Sequence, residues 1–231
     1  MRGRSCSRVG VLAFDMDGVL IAEKSSWSVL HEYFGSKAIV DEAGDARRFE
    51  RGEITYSEWM RRDTEAMIRV AGRCITRDEI LNALLSRVTI RDSARRVVEL
   101  AKGYGIVTAV VSGGVHVLAE YVAKELGIDM AFANKLKFDE SGCLVPGGEE
   151  VVNPLRKGDV LRRISKVTGV PLSEFMYVGD SAWDVSAFRY VGYPVFLKGS
   201  DDPPDLDGLI VINDLSELST LLKELCECKG K

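Results

Sequence analysis

Apolar residues along the chain form short continuous runs separated by longer stretches with helical spacing. The runs are β-prone and predict strands at residues 9–14, 106–111, 128–133, 175–178, 194–197 and 209–212. Another segment, 135–151, has the pattern of a hairpin that turns at 139–142. Strands that alternate with helices predict a parallel sheet covered on both faces, which is a Rossmann-like α/β core.

One stretch breaks this alternation, because four helical patterns follow the first strand with no strand between them. Gly44 is a candidate break in the second pattern. The third begins with Thr55 and Glu58, and the fourth with Thr76 and Glu79, which is the spacing of a capping box. Consecutive helices cannot be βαβ repeats, so they predict a four-helix bundle inserted into the core.

The insertion divides the chain into two predicted domains. We expect a catalytic core of residues 1–21 and 88–231 and a helical cap of residues 22–87, and 231 residues suffice for both. The net charge of −4 gives no reason to expect nucleic acid, whose binders usually have a basic face. No apolar run reaches the roughly 18 residues of a membrane span, so we expect no membrane partner.

The cysteines and the first residues bear on the compartment. Five scattered cysteines predict inert thiols in a reducing environment, and they are Cys6, Cys74, Cys143, Cys226 and Cys228. Residues 1–5 are basic, but Asp15 interrupts the apolar stretch that follows, which argues against a signal peptide. We therefore expect a cytoplasmic protein.

Four groups of polar residues fall at or just after predicted strand ends or helix starts. They are Asp15 with Asp17, Ser112 with Gly113 and Gly114, Lys157, and Asp180 with Asp184. Ligands bind beyond the carboxyl ends of the strands in sheets of this kind. We therefore expect these groups, which are distant in sequence, to converge at one edge of the sheet.

Asp15 and Asp17 leave the first strand close together. Two like charges about 4 Å apart repel by about 4 kcal/mol at an effective dielectric constant near 20. A site that also contains Asp180 needs a cation or raised pKa values. Carboxylate oxygens suit Mg²⁺, which is the cofactor we expect. For the Asp15 motif alone, the alternative is a solvated turn.

The other groups have complementary chemistry, and each has a structural alternative. Ser112 and its glycines suit an anion at a helix N-terminus, or Ser112 is a plain helix cap. Lys157 lies in the first turn of a predicted helix, where a positive charge is unfavourable for the helix dipole unless an anion lies nearby. The alternative is an exposed lysine. Asp180 and Asp184 extend the acidic site, or they are a helix cap and a solvent-exposed acid.

The order of these motifs resembles the haloacid dehalogenase superfamily, whose signature is Asp-x-Asp, then Ser or Thr, then Lys, then Gly-Asp-x-x-x-Asp. The chain is similar to the phosphoserine phosphatase-like branch, which carries a four-helix cap of the C1 type after the first motif. The resemblance implies a Mg²⁺-dependent phosphatase for a small soluble phosphorylated metabolite, with an aspartyl-phosphate intermediate.

The resemblance also implies a role for each matching residue. Asp15 is implied to be the nucleophile, and Asp17 the acid and base. Mg²⁺ is implied to bind Asp15, the backbone carbonyl of Asp17 and Asp180, with Asp184 orienting the metal shell. The phosphoryl oxygens are implied to contact Ser112, the Gly113 amide and Lys157.

Some positions depart from the pattern of this branch. The cap glutamate that recognises an amino-acid substrate corresponds to Glu23 or Lys24, and the cap arginine corresponds to Asp63. Trp183 replaces an expected asparagine. A reversed charge opposite a substrate carboxylate is unfavourable, so we do not expect phosphoserine as the natural substrate. The cap aromatics either line a more apolar pocket or fill the bundle core, and they are Trp27, Tyr33, Phe49 and Trp59.

Two further functions remain open from the sequence. A phosphotransferase or phosphomutase would use the same phosphoenzyme, with an alcohol replacing water as acceptor. A binding protein on an inactive scaffold is the other, although it would not need the full set of acids and Lys157. We expect a small-molecule phosphate ester as partner and a monomer or homodimer. His116 follows the Ser112 loop but needs no special role.

Overall fold

A seven-stranded sheet forms the centre of the molecule. The computed structural model describes residues 6–227, and the strand order is β4-β3-β2-β1-β5-β6-β7. Neighbouring strands are parallel, apart from the antiparallel pair β3–β4. The strands are β1 (Val11–Phe14), β2 (Val107–Val115), β3 (Met130–Phe138), β4 (Leu144–Glu149), β5 (Phe175–Gly179), β6 (Tyr193–Leu197) and β7 (Ile210–Ile212).

β1 lies in the middle of the sheet, and all four of its residues are buried. Burial on both faces explains why this strand is a continuous apolar run rather than an alternating one. At its last residue, Phe14 pairs with Val110 of β2 and with Val178 of β5. The residues just beyond these three paired positions therefore meet at one edge, as the sequence predicted.

Five α-helices lie between residues 6 and 88. They are α1 (Ser26–Phe34), α2 (Lys37–Ala43), α3 (Asp45–Glu50), α4 (Tyr56–Ala71) and α5 (Arg77–Leu85). The sequence predicted four, and the second is divided in the structure at Gly44, where φ is +61°. The candidate break is therefore real, because a left-handed residue cannot continue an α-helix.

Local capping sets the starts of α4 and α5. The Thr55 side chain accepts from the Glu58 amide, and the Glu58 side chain accepts from the Thr55 amide, which confirms the first capping box. Thr76 accepts from the Glu79 amide in the same way. The second box is incomplete, because the Glu79 carboxylate pairs with Arg73 instead.

The remaining helices cover the sheet. They are α6 (Asp92–Gly103), α7 (His116–Leu126), α8 (Lys157–Thr168), α9 (Val185–Phe188) and α10 (Glu217–Glu227). One apolar cluster joins Phe14 and Val178 to Leu30 of α1 and Leu118 of α7, and a second joins Ala13 and Tyr177 to Leu161 of α8. Among residues 6–227, no helix has the length and apolar character needed to cross a membrane.

The chain enters and leaves the inserted helices side by side. The Ala22 amide donates to the Thr89 carbonyl, and the Arg91 amide donates to the Leu20 carbonyl, both at 2.9 Å. Ile21 and Ile90 form an isolated antiparallel bridge between them. The predicted cap boundaries at residues 22 and 87 adjoin this crossing, and the division into two domains stays a prediction.

β3 is longer than the sequence indicated. The pattern predicted a strand at 128–133 and a separate hairpin at 135–151, whereas β3 runs from the sheet directly into the hairpin. The hairpin turns as predicted, with the Asp139 carboxylate accepting from the amides of Ser141 and Cys143. β4 pairs with the far half of β3 and extends the sheet by one antiparallel strand.

The prediction of inert thiols is wrong for four of the five cysteines. Disulfides join Cys6 to Cys226 and Cys74 to Cys143. The partners are 220 and 69 residues apart in sequence, and a pairing over such distances cannot be deduced from spacing. Cys228 and the basic residues 1–5 lie outside the described residues.

Candidate active site

A buried lysine joins two aspartates at the carboxyl edge of the sheet. Lys157 Nζ donates to Asp15 Oδ2 and to Asp184 Oδ1, both at 2.7 Å. All three side chains are buried. Lys157 is the first residue of α8, where its charge is unfavourable for the helix dipole, and the two carboxylates compensate for that placement.

Asp15 is held by the end of β1 and by the tight turn that follows. Its backbone amide donates to the Val178 carbonyl of β5, and its Oδ1 accepts from the Met16 amide at 2.7 Å. Gly18, in the same turn, has a φ of +75°. A Cβ on Gly18 would lie 2.1 Å from Asp180 Oδ2, so the turn brings the backbone against the late acid.

Asp17 has one bonded oxygen and one without a partner. Its Oδ2 accepts from the Ser26 hydroxyl at 2.9 Å and from the Ser26 amide at 3.0 Å, at the start of α1. Its Oδ1 is buried and has no hydrogen-bond partner among the described residues. A buried acceptor without a partner is costly, so this oxygen is available to a ligand or a proton.

The late acids have different surroundings. Asp180 is buried, and its Oδ2 accepts from Lys24, whose side chain is half exposed. Asp184 ends a short 3-10 helical turn (Ala182–Asp184) that leads into α9. Its Oδ2 accepts from the Asp180 and Ser181 amides, and its Oδ1 also accepts from the Tyr177 hydroxyl at 2.7 Å.

The Gly113 carbonyl lies in the last part of β2, which runs to Val115 and not only to the predicted end at residue 111. Three donors from other elements fix this carbonyl. The Tyr56 hydroxyl donates to it at 2.6 Å, Asn134 Nδ2 at 3.0 Å and Trp27 Nε1 at 3.3 Å. Ser112 is buried next to it, and its hydroxyl accepts from the Gly114 amide. Because residues of α1, α4 and β3 hold this carbonyl, the orientation of the loop is well determined.

A cavity of about 410 Å³ opens over these groups. Its floor is formed by polar groups, namely Asp15, Asp17, Lys157, Asp180 and the Ser112 loop. Four aromatic residues of the cap and of the last motif also line it, namely Trp27, Tyr56, Trp59 and Trp183. The volume is within the range of sites for small molecules.

Burial dominates the electrostatics of the floor. It raises the pKa of Asp15 from 3.8 to about 7, where Lys157 opposes the rise and Asp184 and Asp17 add to it. Burial likewise raises the pKa of Asp17 to about 6 and shifts that of Asp180 upward. Burial also disfavours charge on Lys157, but its two aspartates outweigh this and its pKa is raised.

The acidic groups fit a divalent cation. Carboxylate oxygens of Asp15, Asp180 and Asp184 all lie within 4.8 Å of one another. With Asp17, four carboxylates face two ammonium groups, those of Lys24 and Lys157, so negative charge is in excess when all are ionised. The donors are hard oxygens, which suit Mg²⁺ or a similar ion.

The structure brings together most of the predicted site residues, but not Glu23 and Asp63. The Glu23 carboxylate accepts from the Thr89 amide at 2.8 Å and does not line the cavity. Asp63 is buried in α4 and faces His31, with Nε2 to Oδ2 at 3.5 Å, beside a neighbouring smaller cavity. Of the three predicted specificity positions, only Lys24 reaches the site.

Several residues that support the site had no predicted role. Ser26 holds Asp17, Tyr177 holds Asp184, and Asn134 holds the Gly113 loop. Ser26 directly follows Ser25, the N-cap residue of α1. Asn134 lies in the middle of β3 and Tyr177 in the middle of β5, and both are buried. A polar side chain within a buried strand needs a hydrogen-bond partner, which is the available signal.

The cap aromatics divide between the two predicted alternatives. Trp27 and Trp59 line the cavity, whereas Phe49 is buried in the aromatic cluster behind it. Tyr33 does neither, because it is 42% exposed on α1. His116 has an ion pair with Glu120 and does not line this cavity.

Residues 9–192 match the family model of the haloacid dehalogenase-like hydrolases. The chain is 32% identical over 117 residues to a phosphoserine phosphatase of Methanocaldococcus jannaschii, which is 51% of this chain and 56% of that protein. It is 26% identical over 223 residues to a phosphoserine phosphatase of Archaeoglobus fulgidus, which is 96% of this chain and 62% of that protein. The matches thus span less than two thirds of these relatives.

A solved structure has the same fold. It is a phospho-aspartyl intermediate analogue of phosphoserine phosphatase, with 25% identity and a TM-score of 0.66. The superposition covers 83% of this chain and 87% of that one. The parallel sheet and its flanking helices are therefore shared with that protein.

Proposed function

Because the chain belongs to the haloacid dehalogenase-like hydrolases, we propose that it is a phosphatase of small phosphomonoesters that works through a phosphorylated aspartate. One observation carries the proposal. The buried ammonium group of Lys157 donates to Asp15 and to Asp184 beneath a cavity that Asp17 and Asp180 also line. The phosphoserine phosphatases among its relatives, and the solved phospho-aspartyl analogue, support the same chemistry.

In the first half-reaction, Asp15 is the nucleophile. A carboxylate oxygen of Asp15 attacks phosphorus while the bond from phosphorus to the alcohol oxygen breaks, which leaves an aspartyl phosphate. Asp17 gives its proton to the departing oxygen, and the alcohol leaves neutral. A pKa of about 6 suits this role, because the group is protonated in a useful fraction near neutral pH.

In the second half-reaction, Asp17 acts as a base. Its carboxylate takes a proton from water as the water oxygen attacks phosphorus, and the bond to Asp15 breaks to release phosphate. Two smaller steps thus replace one difficult displacement. The Ser26 hydroxyl and amide hold Asp17 in place through both.

The remaining residues manage charge. Lys157, the Ser112 hydroxyl and the Gly113 amide bind the phosphoryl oxygens, and Asp184 with Tyr177 keeps Lys157 in position. Asp15, the Asp17 carbonyl and Asp180 would hold Mg²⁺, with Asp184 supporting them. When bound, the ion offsets negative charge on the transferring group, the main requirement of phosphoryl transfer.

A phosphate-release assay tests the proposal. Purified protein with MgCl₂ and p-nitrophenyl phosphate should release free phosphate without any added alcohol, and EDTA should abolish the activity. Asp15→Asn should lose turnover and phosphoenzyme together. Wild-type activity no greater than that of Asp15→Asn contradicts the proposal.

A phosphotransferase or phosphomutase is the second candidate, because an alcohol as well as water could accept the phosphoryl group from phosphorylated Asp15. The two differ in their acceptor. If release of phosphate is negligible alone but product forms when an alcohol is added, the protein is a transferase.

A further inference from the structure

One wall of the active-site cavity is aromatic, and its residues come from two separate segments of the chain. Trp59 and Tyr56 lie on α4, and Trp183 lies in the turn after β5, next to the late acids. The Trp59 and Trp183 ring centroids are 6.2 Å apart, and those of Trp59 and Tyr56 are 5.6 Å apart. Phe49 stacks behind Trp183 with an angle of 7° between the rings.

Two polar atoms of this wall are already engaged. The Tyr56 hydroxyl and Trp27 Nε1 both donate to the Gly113 carbonyl. These two residues therefore offer ring surface rather than a donor to a ligand. Trp59 and Trp183 are only partly buried and pack against the buried cluster of Phe49 and Tyr56, which holds their rings in place.

The cavity has no spare cation among the described residues that line it. Its two ammonium groups are those of Lys24, paired with Asp180, and Lys157, paired with Asp15 and Asp184. The two arginines beside the predicted specificity position Asp63 do not line the cavity either, and Arg61 pairs with Glu65 and Arg62 with Asp45. Lys24 pairs with Asp180 Oδ2, which leaves the other oxygen of that carboxylate for Mg²⁺, so Lys24 keeps its partner when the metal is bound. A carboxylate beside the substrate phosphate would therefore lack a partner, and desolvating it would be unfavourable.

From the aromatic wall and the absence of a spare cation, we propose that the substrate is a phosphate ester of an uncharged alcohol that carries a flat apolar ring. The ring would stack on Trp59 and Trp183 while the phosphoryl group lies on Lys157 and the Ser112 loop. This substrate class rests on the proposed phosphatase function. A single ring and a phosphate suit a cavity of about 410 Å³.

Esters of primary alcohols test the proposal without large differences in leaving-group chemistry. We would compare kcat/KM for benzyl phosphate, ethyl phosphate, phosphoethanolamine and O-phosphoserine, with Mg²⁺ present. Benzyl phosphate should be preferred over ethyl phosphate by about tenfold or more, the scale of an aromatic contact with its buried area. It should be preferred over O-phosphoserine by a larger factor, about a hundredfold, because the charged groups lack partners.

Variants show whether the wall causes this preference. Trp183→Ala should reduce the ratio of kcat/KM for benzyl to ethyl phosphate by about tenfold, and Trp183→Phe should restore most of it. Tyr33→Ala is the matched control, since Tyr33 is an exposed aromatic outside the cavity. It should leave both activity and the ratio unchanged. If Trp183→Ala does not fold, Trp183→Leu, which keeps an apolar side chain without the aromatic face, should lower the same ratio and tests the wall instead.

The outcomes separate the two proposals. If O-phosphoserine or phosphoethanolamine is hydrolysed as efficiently as benzyl phosphate, the substrate class is wrong although the phosphatase function holds. The same conclusion follows if Trp183→Ala lowers kcat/KM for benzyl and ethyl phosphate by equal factors. If no ester, including p-nitrophenyl phosphate, is hydrolysed above the Asp15→Asn background, the phosphatase function itself is wrong.

Discussion

At the scale of single residues, Gly18 shows how closely the site is built. Gly18→Ala places a Cβ 2.1 Å from Asp180 Oδ2, so Asp180 or the turn must move. We expect a loss of kcat/KM of about a hundredfold or more, as for a displaced catalytic group. Activity on p-nitrophenyl phosphate measures this loss, and urea denaturation measures the change in stability.

Gly44→Ala is the matched control for Gly18→Ala. Gly44 has a similar φ of +61°, and nothing lies within 4 Å of its Cβ position. Both variants should lose about 1 kcal/mol of stability from the backbone conformation. Only the first should lose activity, and equal activities would show that the close approach to Asp180 has no functional consequence.

Asp17 separates the two half-reactions. Asp17→Asn removes the proton donor and the base, but the resemblance assigns the metal to its carbonyl, so metal binding should persist. We expect kcat to fall by about 10² to 10⁴. With an activated ester that needs no proton on its leaving group, the phosphoenzyme should accumulate. Acid quenching and mass spectrometry of the Asp15 peptide measure it, and Asp78→Asn, at an exposed acid, is the control.

Residues directly after strands were predictable, whereas their supports were not. The apolar run before Asp15 and the glycine before Asp180 mark strand ends in the sequence itself. The bond from Asn134 to the Gly113 carbonyl depends on where β3 lies beside β2, 21 residues away in sequence. The bond from Lys157 to Asp15 spans 142 residues, and only the motif order indicated it.

At the scale of elements, Asn134 joins three segments from the middle of β3. Its Nδ2 donates to the carbonyls of Gly113 and Val152, and its Oδ1 accepts from the amides of Val151 and Val152. Asn134→Leu has a similar size but leaves buried backbone groups without partners. It should cost about 3 kcal/mol or more of unfolding free energy.

The same variant should also reduce activity, because the Gly113 loop is held by Asn134 as well as by Tyr56 and Trp27. Urea denaturation and kcat/KM on p-nitrophenyl phosphate measure the two effects. Asn82→Leu, at an exposed position of α5, is the control and should change stability by less than about 0.5 kcal/mol. A stable Asn134→Leu protein with normal kinetics would contradict the assigned support.

Local signals determined how well each element was predicted. The ends of α4 follow from Thr55, Glu58 and the left-handed Gly72, all of which act within one helical turn. β3 was underestimated because its second half is stabilised by β4, and a pairing partner is not visible in a strand's own pattern.

At the scale of the whole molecule, the acidic site sets the pH dependence of stability without metal. Burial raises the pKa values of Asp15 and Asp17 from 3.8 to about 7 and about 6. The folded state therefore holds these protons more tightly than the unfolded state. The resulting contribution is fully present below pH 3.8 and is lost as the pH rises through 6 and 7.

In EDTA, the melting temperature should accordingly fall between pH 5 and pH 8. Mg²⁺ should raise it more at pH 8 than at pH 5, because the ionised carboxylates bind the cation. Asp15→Asn combined with Asp17→Asn should flatten both trends, since the titrating groups are gone. Differential scanning fluorimetry measures these melting temperatures at pH 5 and pH 8, each in EDTA and in Mg²⁺. A metal-free protein that becomes more stable towards pH 8 would contradict the raised pKa values.

The disulfides act on the whole chain as well. Cys6–Cys226 joins the first described residue to α10, and Cys74–Cys143 ties the segment before α5 to the β3–β4 hairpin. The second one thus links the predicted cap to the predicted core. Disulfides are rare in most cytosols but common in those of hyperthermophiles, so a cytoplasmic location stays a prediction.

Reduction should therefore destabilise the protein strongly. Each bridge closes a long loop of the unfolded chain, and removing one typically costs about 2–4 kcal/mol. For a chain of this length, that corresponds to about 5–15 °C in melting temperature per bridge. Thiol titration under denaturing conditions should find four more thiols per chain after reduction than before. Cys74→Ser with Cys143→Ser should reproduce half of the loss and leave the other bridge intact. If reduction changes neither the thiol count nor the melting temperature, the four cysteines are free in solution, and the expectation of inert thiols is restored.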